Sequence, residues 1–597
     1  MASGPPLALN PRAALELLIQ LQRLGLRHLV LCPGSRSAPL AVAAALLEPA
    51  GLRLVTAIDE RSAAFFALGL GRATGWPAAV VTTSGSAVAN LLPAAVEADH
   101  GTVPLLLLTA DRPARLKGCG ANQSVNQEQF LACSCRWLGS GDPTGLAQMA
   151  PAALADLAER AMAAALGDGR TLPPGPVHLN LPFDEPLHAD GEALRTLAPR
   201  AMTVPTPAPE RPFQPLATPP PFPQPDPDQP GVVVAGPWRG APSAWLSHLA
   251  ALRQWQRRTG WPVLADELSG LRGQAELTVI SGYDLLLEQP PLALAAPQLL
   301  RLGSLPASRR LQHWIAGQGP RQWLVSDSDP RPLDPLGCGV SQWSGGLESW
   351  LRAQPQLWSD NTPPSPSLAS RALALAWQRA EERVQTLLDR QLTIGPEQPL
   401  REPWLARQLS RLLPAELPLM LANSSPVRDW ESFADPRACP RTVFGFRGAS
   451  GIDGTLSIAC GLADALGALV LVTGDLALLH DSHGWLWRQQ LRGQLTVLLI
   501  DNGGGGIFEQ LPIRTEPETA LDFERLFAMP QDLDPLALAA AHGVPGQVVE
   551  RVEELEASLH WALAQPIALV RLMCERRGDA ALRRRLRTMA TWDPVQP

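Results

Sequence analysis

The sequence predicts three α/β domains, each built around a doubly wound parallel sheet. In the first and last thirds of the 597-residue chain, apolar runs of strand length alternate with helical stretches, the pattern of a parallel sheet covered by helices. Two proline-rich stretches separate these parts from a middle part with further strand candidates. Polar and glycine residues follow many of the apolar runs, where a doubly wound sheet binds its ligands.

The two proline-rich stretches give the expected domain boundaries. The first, 205–230, contains 12 prolines in 26 residues, and proline can continue neither a helix nor an inner strand. The second, 355–366, precedes a helical stretch at Leu368–Arg390. We therefore expect a first domain over 1–195, a linker over 196–230, a central domain over 231–352, a linker over 353–367 and a last domain over 368–597.

The strand candidates of the first domain end in polar or turn residues. Pro-Gly-Ser, Asp-Glu, Thr-Ser-Gly-Ser and Ala-Asp-Arg-Pro follow the first four of them. The five apolar runs are Leu29–Cys32, Leu54–Ile58, Ala78–Thr82, Leu105–Thr109 and Val177–Leu181. A ligand site is expected where these runs end.

The last domain repeats this plan, and the central domain carries fewer polar strand ends. Strands are expected in the last domain at Leu419–Ala422, Leu469–Thr473 and Leu495–Ile500. In the central domain they are expected at Gly231–Ala235, around Val263, at Leu299–Leu302 and at Trp323–Val325.

Composition excludes several classes of protein. Hydrophobic residues make up 46% and charged residues 18% of the chain, which excludes a disordered or fibrous protein. The net charge of −7 argues against nucleic acid as a partner. Lys117 is the only lysine beside 49 arginines, a bias typical of a GC-rich genome. An arginine is therefore a candidate only where a motif surrounds it.

The cysteines and the start of the chain bear on its location. The eight cysteines form no Cys-x-x-Cys motif, so we expect reduced thiols and a cytoplasmic protein. The first residues lack the basic and apolar segments of a signal peptide. We expect no integral membrane segment, because no apolar run of about 18 residues occurs.

The most specific motif joins the ends of two strands. Gly474-Asp475 follows one apolar run, and Asn502 stands 27 positions after Asp475, behind the next. A carboxylate and an amide oxygen are hard ligands that suit an octahedral Mg²⁺ holding diphosphate oxygens. The four glycines 503–506 allow the backbone to approach a ligand closely.

This motif resembles that of thiamine-diphosphate enzymes, in which Gly-Asp is followed at the next strand by Asn-Asn. The resemblance implies that Asp475 and Asn502 bind Mg²⁺, or Mn²⁺ as a substitute, together with the backbone carbonyl of Gly504. This chain has Asp501 in place of the first asparagine, one residue before the expected ligand.

Glu60 follows the run Leu54–Ile58, a position where a carboxylate is ordinarily a helix cap or a surface charge. In the resembling enzymes this glutamate hydrogen-bonds N1′ of the aminopyrimidine and favours the imino form that takes the proton from thiazolium C2. The resemblance makes Glu60 the catalytic residue. Because Glu60 and Asp475 lie in different domains, it also implies a homodimer or a dimer of dimers that holds each cofactor between two chains.

Five further segments are similar to one branch of these enzymes, the 2-succinyl-5-enolpyruvyl-6-hydroxy-3-cyclohexene-1-carboxylate synthases of menaquinone and phylloquinone biosynthesis. The segments are Cys32–Leu40, Thr82–Asn90, Thr109–Pro113, Cys119–Gln123 and Arg447–Gly454. The resemblance implies a transferase that decarboxylates 2-oxoglutarate on thiamine diphosphate and adds the resulting succinyl-semialdehyde carbanion to isochorismate.

Both of these substrates are dicarboxylates, and planar guanidinium groups bind carboxylates bidentately. Arg309-Arg310 occupies the place of a Lys-Arg pair in the family. The substrate-binding residues that the resemblance implies are Ser35, Arg36, Arg112, Asn122, Gln123, Arg309, Arg310, Arg428 and Arg447. The motifs leave open which arginine binds which carboxylate.

The resemblance also implies residues around the cofactor. Ile452 would support its bent shape, and Ile507 and Phe508 would wall the reaction centre, although plain core packing explains such side chains equally well. The cofactor-binding residues are Ser424, Ser450, Gly451, Ile452, Gly474, Asp475, Leu476, Asn502, Ile507 and Phe508.

Other functions stay open at this point. A 2-oxoacid decarboxylase or an acetolactate synthase would share Glu60 and Gly474-Asp475 but would turn over pyruvate. A regulatory relative could bind the cofactor without catalysis. The glycines between Gly69 and Gly75 lack the GxGxxG interval of a dinucleotide site and are expected to be a helix-packing surface. His480 and His483 lack further ligands for a metal set.

Overall fold

The computed structural model describes residues 9–188, 191–192, 195–197, 224–319, 321–354, 365–515 and 521–590. Most of the first proline-rich stretch (205–223) and most of the second (355–364) lie outside the described residues. The chain divides into two compact units. The first unit comprises the described parts of Met1–Gln214 with Phe446–Gly467 and Asp481–Gly493, and the second those of Pro215–Gly445, Ala468–His480 and Gln494–Pro597.

The first unit contains a sheet of six parallel strands in the order β2-β1-β3-β4-β6-β5. Every residue of β3, β4 and β6 is buried, as expected of inner strands covered by helices on both faces. The strands are β1 His28–Leu31, β2 Arg53–Thr56, β3 Ala78–Thr82, β4 Leu105–Asp111, β5 Trp137–Ser140 and β6 Pro176–Pro182. The five expected strands are confirmed, and the edge strand β5 was not predicted.

Helices connect these strands, and one more segment of the first unit is helical. The helices are α1 Leu9–Arg23, α2 Ala38–Leu47, α3 Glu60–Thr74, α4 Ser86–Ala89, α5 Leu92–Gly101 and α6 Pro151–Leu166, with α14 Thr455–Leu466 from later in the chain. Asp59 caps α3 by accepting a hydrogen bond from the Ser62 amide.

The glycines of α3 are packing positions. A Cβ on Gly69 would overlap the carbonyl oxygen of Ile458 and lie 2.9 Å from the Leu462 amide nitrogen. A Cβ on Gly461 would overlap the carbonyl oxygen of Phe66 in the same way. The two helices α3 and α14 therefore touch through glycine. The expected helix packing is thus confirmed at Gly69, whereas Gly71 packs against Pro104 and Gly75 is the C-cap of α3.

The central sheet of the second unit has six parallel strands in the order β12-β11-β10-β7-β8-β9, which is the strand order of a dinucleotide-binding fold. Its strands are β7 Val232–Ala235, β8 Val263–Ala265, β9 Val279–Ile280, β10 Gln298–Leu302, β11 Arg321–Val325 and β12 Ser341–Trp343. Its helices are α7 Trp245–Thr259, α8 Tyr283–Leu286, α9 Arg309–Gln318 and α10 Gly346–Arg352. The four expected strands are confirmed, and β9 and β12 were not predicted.

The third sheet, also in the second unit, repeats the order of the first as β14-β13-β15-β16-β18-β17. Its strands are β13 Leu419–Leu421, β14 Val443–Phe444, β15 Ala468–Gly474, β16 Gln494–Asp501, β17 Gly546–Val549 and β18 Ile567–Met573. The helices are α11 Leu368–Gln391, α12 Glu402–Leu412, α13 Ser425–Phe433, α15 Asp475–His480, α16 Pro535–Ala541, α17 Leu555–Leu563 and α18 Arg576–Met589.

The predicted fold class is therefore confirmed, since each of three sheets is fully parallel and helices connect its strands. The expected helix at Leu368–Arg390 is α11. The domain boundaries drawn from the proline-rich stretches stay a prediction.

Candidate active site

Asp475 stands where β15 passes into α15, in the second unit. Its Oδ1 accepts a hydrogen bond from the Leu476 amide at 2.7 Å, and its Oδ2 accepts one from the Gly504 amide at 2.6 Å. Burial raises the pKa of this carboxyl to about 7; the two amides lower it, while the charges of Asp501 and Glu402 raise it further. A half-buried carboxylate in this setting favours a cation beside it.

Asn502 follows the neighbouring strand β16, which pairs with β15 up to Gly474. Its Nδ2 donates to Glu402 Oε1 at 2.8 Å, so the amide is oriented by a buried carboxylate. Its Oδ1 is buried and has no hydrogen-bond partner within the part of the chain that the structure describes. A free amide oxygen at the strand end next to that of Asp475 fits a hard divalent cation such as Mg²⁺.

The glycines of this region meet different surroundings. A Cβ on Gly474 would have no described atom within 4 Å, so this strand end faces open space. Gly504 has a φ of +121°, and a Cβ there would overlap the carbonyl oxygen of Ala528. Glycine is therefore required at position 504, where the backbone turns its amide toward Asp475.

Asp501, the departure from the family motif, has a partner of its own. Its Oδ2 accepts a hydrogen bond from Arg571 Nε at 2.7 Å, and its Oδ1 accepts one from the Gly503 amide at 3.2 Å. Arg571 lies on β18, the strand next to β16. The charge of Asp501 is thus compensated by Arg571, and the Asp501 side chain is engaged in this ion pair.

The remaining cofactor candidates of the second unit surround the same strand ends. Leu476 and Ile507 are half-buried. Phe508 packs edge-on against Phe527, with ring centroids 6.0 Å apart, which is the packing role that the sequence left open for it. Ser424 begins α13 with a φ of +75°, a conformation that is strained for a residue other than glycine.

Glu60 is the first residue of α3 in the first unit, and Asp59, not Glu60, is the helix cap. Glu60 is half-buried, and its Oε2 accepts a hydrogen bond from Asn90 Nδ2 at 3.4 Å. Burial raises the pKa of the nearby Cys32 thiol, and the charges of Glu60 and Asp59 raise it further. The end of β2 therefore carries negative charge, and the Glu60 carboxylate there is partly exposed.

The loop that carries Ser450, Gly451 and Ile452 also belongs to the first unit. Glu97 of α5 accepts hydrogen bonds from three consecutive amides of this loop, those of Gly448 and Ala449 at 2.7 Å and that of Ser450 at 3.2 Å. Ser450 and Gly451 are exposed, and Ile452 is half-buried. Sequence reasoning missed Glu97, because a glutamate inside a helix carries no motif.

The structure brings several substrate candidates of the first unit together. A Cβ on Gly34 would overlap Thr83, so the loop with Ser35 and Arg36 lies against the loop after β3. Arg36 Nη1 donates to the Phe183 carbonyl at 2.9 Å, while its Nε is buried without a partner in the described structure.

Arg112 directly follows β4 and is buried. Its guanidinium donates to Ser84 Oγ and, at 3.2 Å, to Gln123 Oε1. Burial lowers the pKa of this arginine, and the charge of Arg36 lowers it further, whereas Asp111 raises it. Asn122 and Gln123 are both exposed. Two guanidinium groups that repel each other fit an anionic ligand.

The other arginine candidates are placed differently. Arg310 lies at the start of α9 in ion pairs with Asp284 and Glu288, and Arg309 is exposed. Arg428 of α13 donates to the Ser424 carbonyl at 2.7 Å. Arg447 is half-buried in the first unit.

Three family models match the chain in consecutive order. They are described as the thiamine pyrophosphate enzyme N-terminal TPP binding domain (residues 13–130), the middle domain of thiamine pyrophosphate enzymes (228–421) and the thiamine pyrophosphate enzyme C-terminal TPP binding domain (430–571).

Curated relatives match almost the whole chain. A protein of Synechococcus sp. (strain RCC307) is 55% identical over 98% of this chain and 98% of its own length. Proteins of Parasynechococcus marenigrum (strain WH8102) and Prochlorococcus marinus (strain MIT 9313) are 54% and 51% identical over 94% of this chain, and over 98% and 97% of their own lengths. All three are named 2-succinyl-5-enolpyruvyl-6-hydroxy-3-cyclohexene-1-carboxylate synthase.

The chain belongs to this synthase family.

Membership makes the protein a thiamine-diphosphate-dependent enzyme and a transferase. Among the described residues of this synthase-family chain, no helix has the length and hydropathy needed to cross a membrane. All eight cysteines are free.

The synthase family motif did not reveal Glu402, which orients the Asn502 amide. Glu402 is fully buried and accepts a hydrogen bond at 2.7 Å from Arg583, which also pairs with Asp429. Its only sequence signal is its place at the start of an amphipathic helix, so its partners become visible only in the folded chain.

The structure places the two histidines that follow the Gly-Asp turn in different surroundings. His483 Nδ1 lies 3.8 Å from Asp59 Oδ2, and His480 is exposed. Within the described residues, a group of acidic side chains close enough to share an ion is formed by Asp266, Glu267 and Glu431.

Proposed function

We propose that the chain decarboxylates 2-oxoglutarate and joins the resulting four-carbon unit to isochorismate, with release of CO₂. This is the reaction of menaquinone and phylloquinone biosynthesis after which its relatives are named. Bound thiamine diphosphate supplies a nucleophilic thiazolium carbon and an electron sink. The chain's own residues bind, orient and exchange protons around it.

The metal and diphosphate site is proposed at Asp475, Asn502 and Gly504. The observation that carries it is the buried, unpartnered Asn502 Oδ1 at the end of β16, next to the end of β15 with the half-buried Asp475. Mg²⁺, or Mn²⁺ in its place, would satisfy both oxygens and bind diphosphate. Gly474 would let the diphosphate approach, because its surroundings are open.

Glu60 is proposed as the catalytic residue that holds a proton at N1′ of the aminopyrimidine. Its position as the first residue of α3 keeps the carboxylate at the helix N-terminus, where a negative charge is favoured. Asn90 contacts the same carboxylate and would help to orient it.

The substrate carboxylates are proposed to meet the guanidinium groups at the strand ends of the first sheet. Arg36 has a buried nitrogen without a partner in the described structure, and Arg112 is directed toward neutral groups. Ser35, Asn122 and Gln123 would add neutral hydrogen bonds. Arg310 is the weaker candidate, because Asp284 and Glu288 already occupy its guanidinium.

Of the other candidates, Arg309, Arg428 and Arg447 would complete the substrate set. The proposed cofactor contacts outside the metal site are Ser424, Ser450, Gly451, Ile452, Leu476, Ile507 and Phe508.

The decisive experiment measures CO₂ release from 2-oxoglutarate by the purified chain. Release that requires thiamine diphosphate, Mg²⁺ and isochorismate together supports the proposed reaction. Pyruvate is the comparison substrate, because turnover of pyruvate instead of 2-oxoglutarate would identify an acetolactate synthase or a simple decarboxylase and contradict the proposal.

The active unit is proposed to be a homodimer, or a dimer of dimers, with each cofactor held by Glu60 of one chain and Asp475 of another. A two-fold arrangement would form both sites through one interface. Mixing the inactive variants Glu60→Gln and Asp475→Ala after mild dissociation tests this. Recovered activity supports shared sites, because a mixed dimer has one intact site, whereas no recovery would indicate sites within single chains.

A cytoplasmic location is proposed as well. Free thiols at all eight cysteines support it, because thiols stay reduced in the cytosol. Fractionation of the native organism with detection of the chain is the direct measurement.

A further inference from the structure

Lys117, the only lysine of the chain, joins two carboxylates in the first unit. Its Nζ lies 2.6 Å from Asp111 Oδ2 and also pairs with Glu128, eleven positions further along the chain. The Asp111 side chain is fully buried, while those of Lys117 and Glu128 are 28% exposed. The ion pair with Glu128 therefore closes the segment 117–128 into a loop, and the pair with Asp111 attaches this loop to the end of β4.

The other end of the segment is attached to the same place. Gln127 is fully buried; its Nε2 donates to Asn180 Oδ1 at 2.8 Å and to the Ala110 carbonyl at 3.1 Å. Asn180 in turn donates to Asp111 Oδ2 at 2.8 Å. Lys117 and Gln127 thus converge on one buried polar network around Asp111.

Between these anchors the segment contains glycines and exposed side chains, and Ser124 Oγ donates to the Leu116 carbonyl at 3.0 Å. Gly118 and Gly120 have positive φ angles, and a Cβ on either would meet no described atom within 4 Å. Asn122 and Gln123, two of the proposed substrate residues, are exposed. The position of Gln123 Oε1 against the Arg112 guanidinium consequently depends on the attached ends.

The charge of Lys117 also concerns Arg112. Asp111 Oδ1 accepts a hydrogen bond from the Arg112 backbone amide at 2.8 Å, but the Arg112 guanidinium donates to Ser84 and Gln123. Lys117 compensates the buried carboxylate of Asp111. A buried carboxylate that loses its cation attracts another one nearby, and the charge of Asp111 already acts on the Arg112 guanidinium.

We propose that Lys117 is a positioning residue that sets the affinity for a dicarboxylate substrate. It does so by holding Asn122 and Gln123 over the end of β4 and by keeping the Arg112 guanidinium free of Asp111. The proposal rests on the proposed function, in which Arg112 and Gln123 bind substrate.

The chemistry of lysine suits this position. One compact ammonium group with three donors can serve two carboxylates from a single atom, whereas arginine presents a wide planar fork. Arginine supplies the other 49 of the lysine and arginine side chains, and position 117 alone carries the smaller cation.

The test compares Lys117→Met, Lys117→Arg and Glu128→Gln with the matched control Arg115→Met. Arg115 lies two residues from Lys117 and pairs with Asp184, with 60% of its side chain exposed. It therefore controls for the loss of a surface ion pair immediately before the segment. Each variant is assayed in the full-length holoenzyme for KM, kcat and amide hydrogen exchange over 117–128.

Lys117→Met is expected to raise KM for at least one of the two dicarboxylates about tenfold with a smaller change in kcat. Lys117→Arg should restore part of this loss, and Glu128→Gln should raise the same KM. Exchange over 117–128 should be faster in Lys117→Met and unchanged in Arg115→Met.

Two results would overturn the proposal. The first is a change of no more than about twofold in either KM in Lys117→Met, measured beside an active wild type. This result would show that Lys117 does not position substrate. An unchanged KM in Glu128→Gln together with unchanged amide exchange over 117–128 in Lys117→Met would contradict the attachment of the loop by Lys117. A wild-type enzyme that does not consume 2-oxoglutarate would instead contradict the proposed function, and the exchange measurement would still report on the attached loop.

Discussion

The first and the third sheet have the same strand order but carry different chemistry at their carboxyl ends. In the first sheet, guanidinium, hydroxyl and amide groups follow the strands, with Glu60 as a half-buried carboxylate. In the third, the Asp475 carboxylate, a free amide oxygen and glycines occupy the corresponding edge. The shared topology determines where polar groups converge, and the residues after each strand determine which ligand they suit.

The largest expected effect concerns the third sheet. Asp475→Ala should abolish Mg²⁺-dependent binding of thiamine diphosphate, because the diphosphate would lose its bridging cation. Titration calorimetry with and without Mg²⁺ measures this. The matched control is Asp501→Asn, the residue of the family motif, which should keep the affinity. Unchanged affinity in Asp475→Ala would show that the metal binds elsewhere and would contradict a diphosphate site at the third sheet.

A substitution of Glu60 at the first sheet should change the rate of proton exchange and not the affinity for the cofactor. Glu60→Gln is expected to leave thiamine diphosphate affinity largely intact but to slow exchange of the cofactor C2 proton by about 10²–10⁴, the usual size of general acid–base assistance. Hydrogen–deuterium exchange at C2, followed by NMR, is the measurement. Exchange at the wild-type rate would remove Glu60 from its proposed role.

A third prediction addresses the packing of α3, the helix that begins at Glu60. Gly69→Ala should destabilise the protein by about 1–3 kcal/mol, because its Cβ would overlap the Ile458 carbonyl. Gly317→Ala is the control, since this helical glycine has open surroundings and should gain up to about 1 kcal/mol. Melting temperatures of both variants, measured by calorimetry, test this prediction. Equal shifts of the melting temperature in the two variants would contradict a close contact between α3 and α14.

The smallest expected effect involves a carboxyl that the motifs do not use. Burial raises the pKa of Glu431 on α13 to about 8, and the charges of Asp266 and Asp284 contribute, while the Tyr283 hydroxyl donates to it. A folded-state pKa above the unfolded value stabilises the protein at low pH, and this stabilisation is lost as pH rises toward 8.

The free energy of unfolding should therefore fall by more than about 1 kcal/mol between pH 6 and 9 in the wild type. Glu431→Gln should show a flatter profile over the same range, because the neutral amide does not ionise. Urea unfolding at several pH values measures both. Parallel profiles would mean that Glu431 stays ionised in the folded chain.

Five of the six strands that sequence reasoning missed lie at sheet edges, and β18 is the exception. Trp137–Ser140 and Gly546–Val549 are edge strands with exposed positions, so they lack the continuous apolar run of an inner strand. Val443–Phe444 and Val279–Ile280 are only two residues long. Ile567–Met573 is inner and mostly buried, but Arg571 interrupts its apolar pattern in order to pair with Asp501.

The sequence by itself determined the three parallel sheets, the motif of Asp475 and Asn502, and Glu60 at a strand end. These features are local, since apolar periodicity and the residues after a strand can be read along the chain. Only the tertiary structure decided that Glu402 orients Asn502, that Glu97 holds the loop of Ser450, and that Lys117 joins Asp111 to Glu128. Such contacts depend on side chains that folding brings together from separate elements, and a buried polar group finds its partner by position in space rather than in sequence.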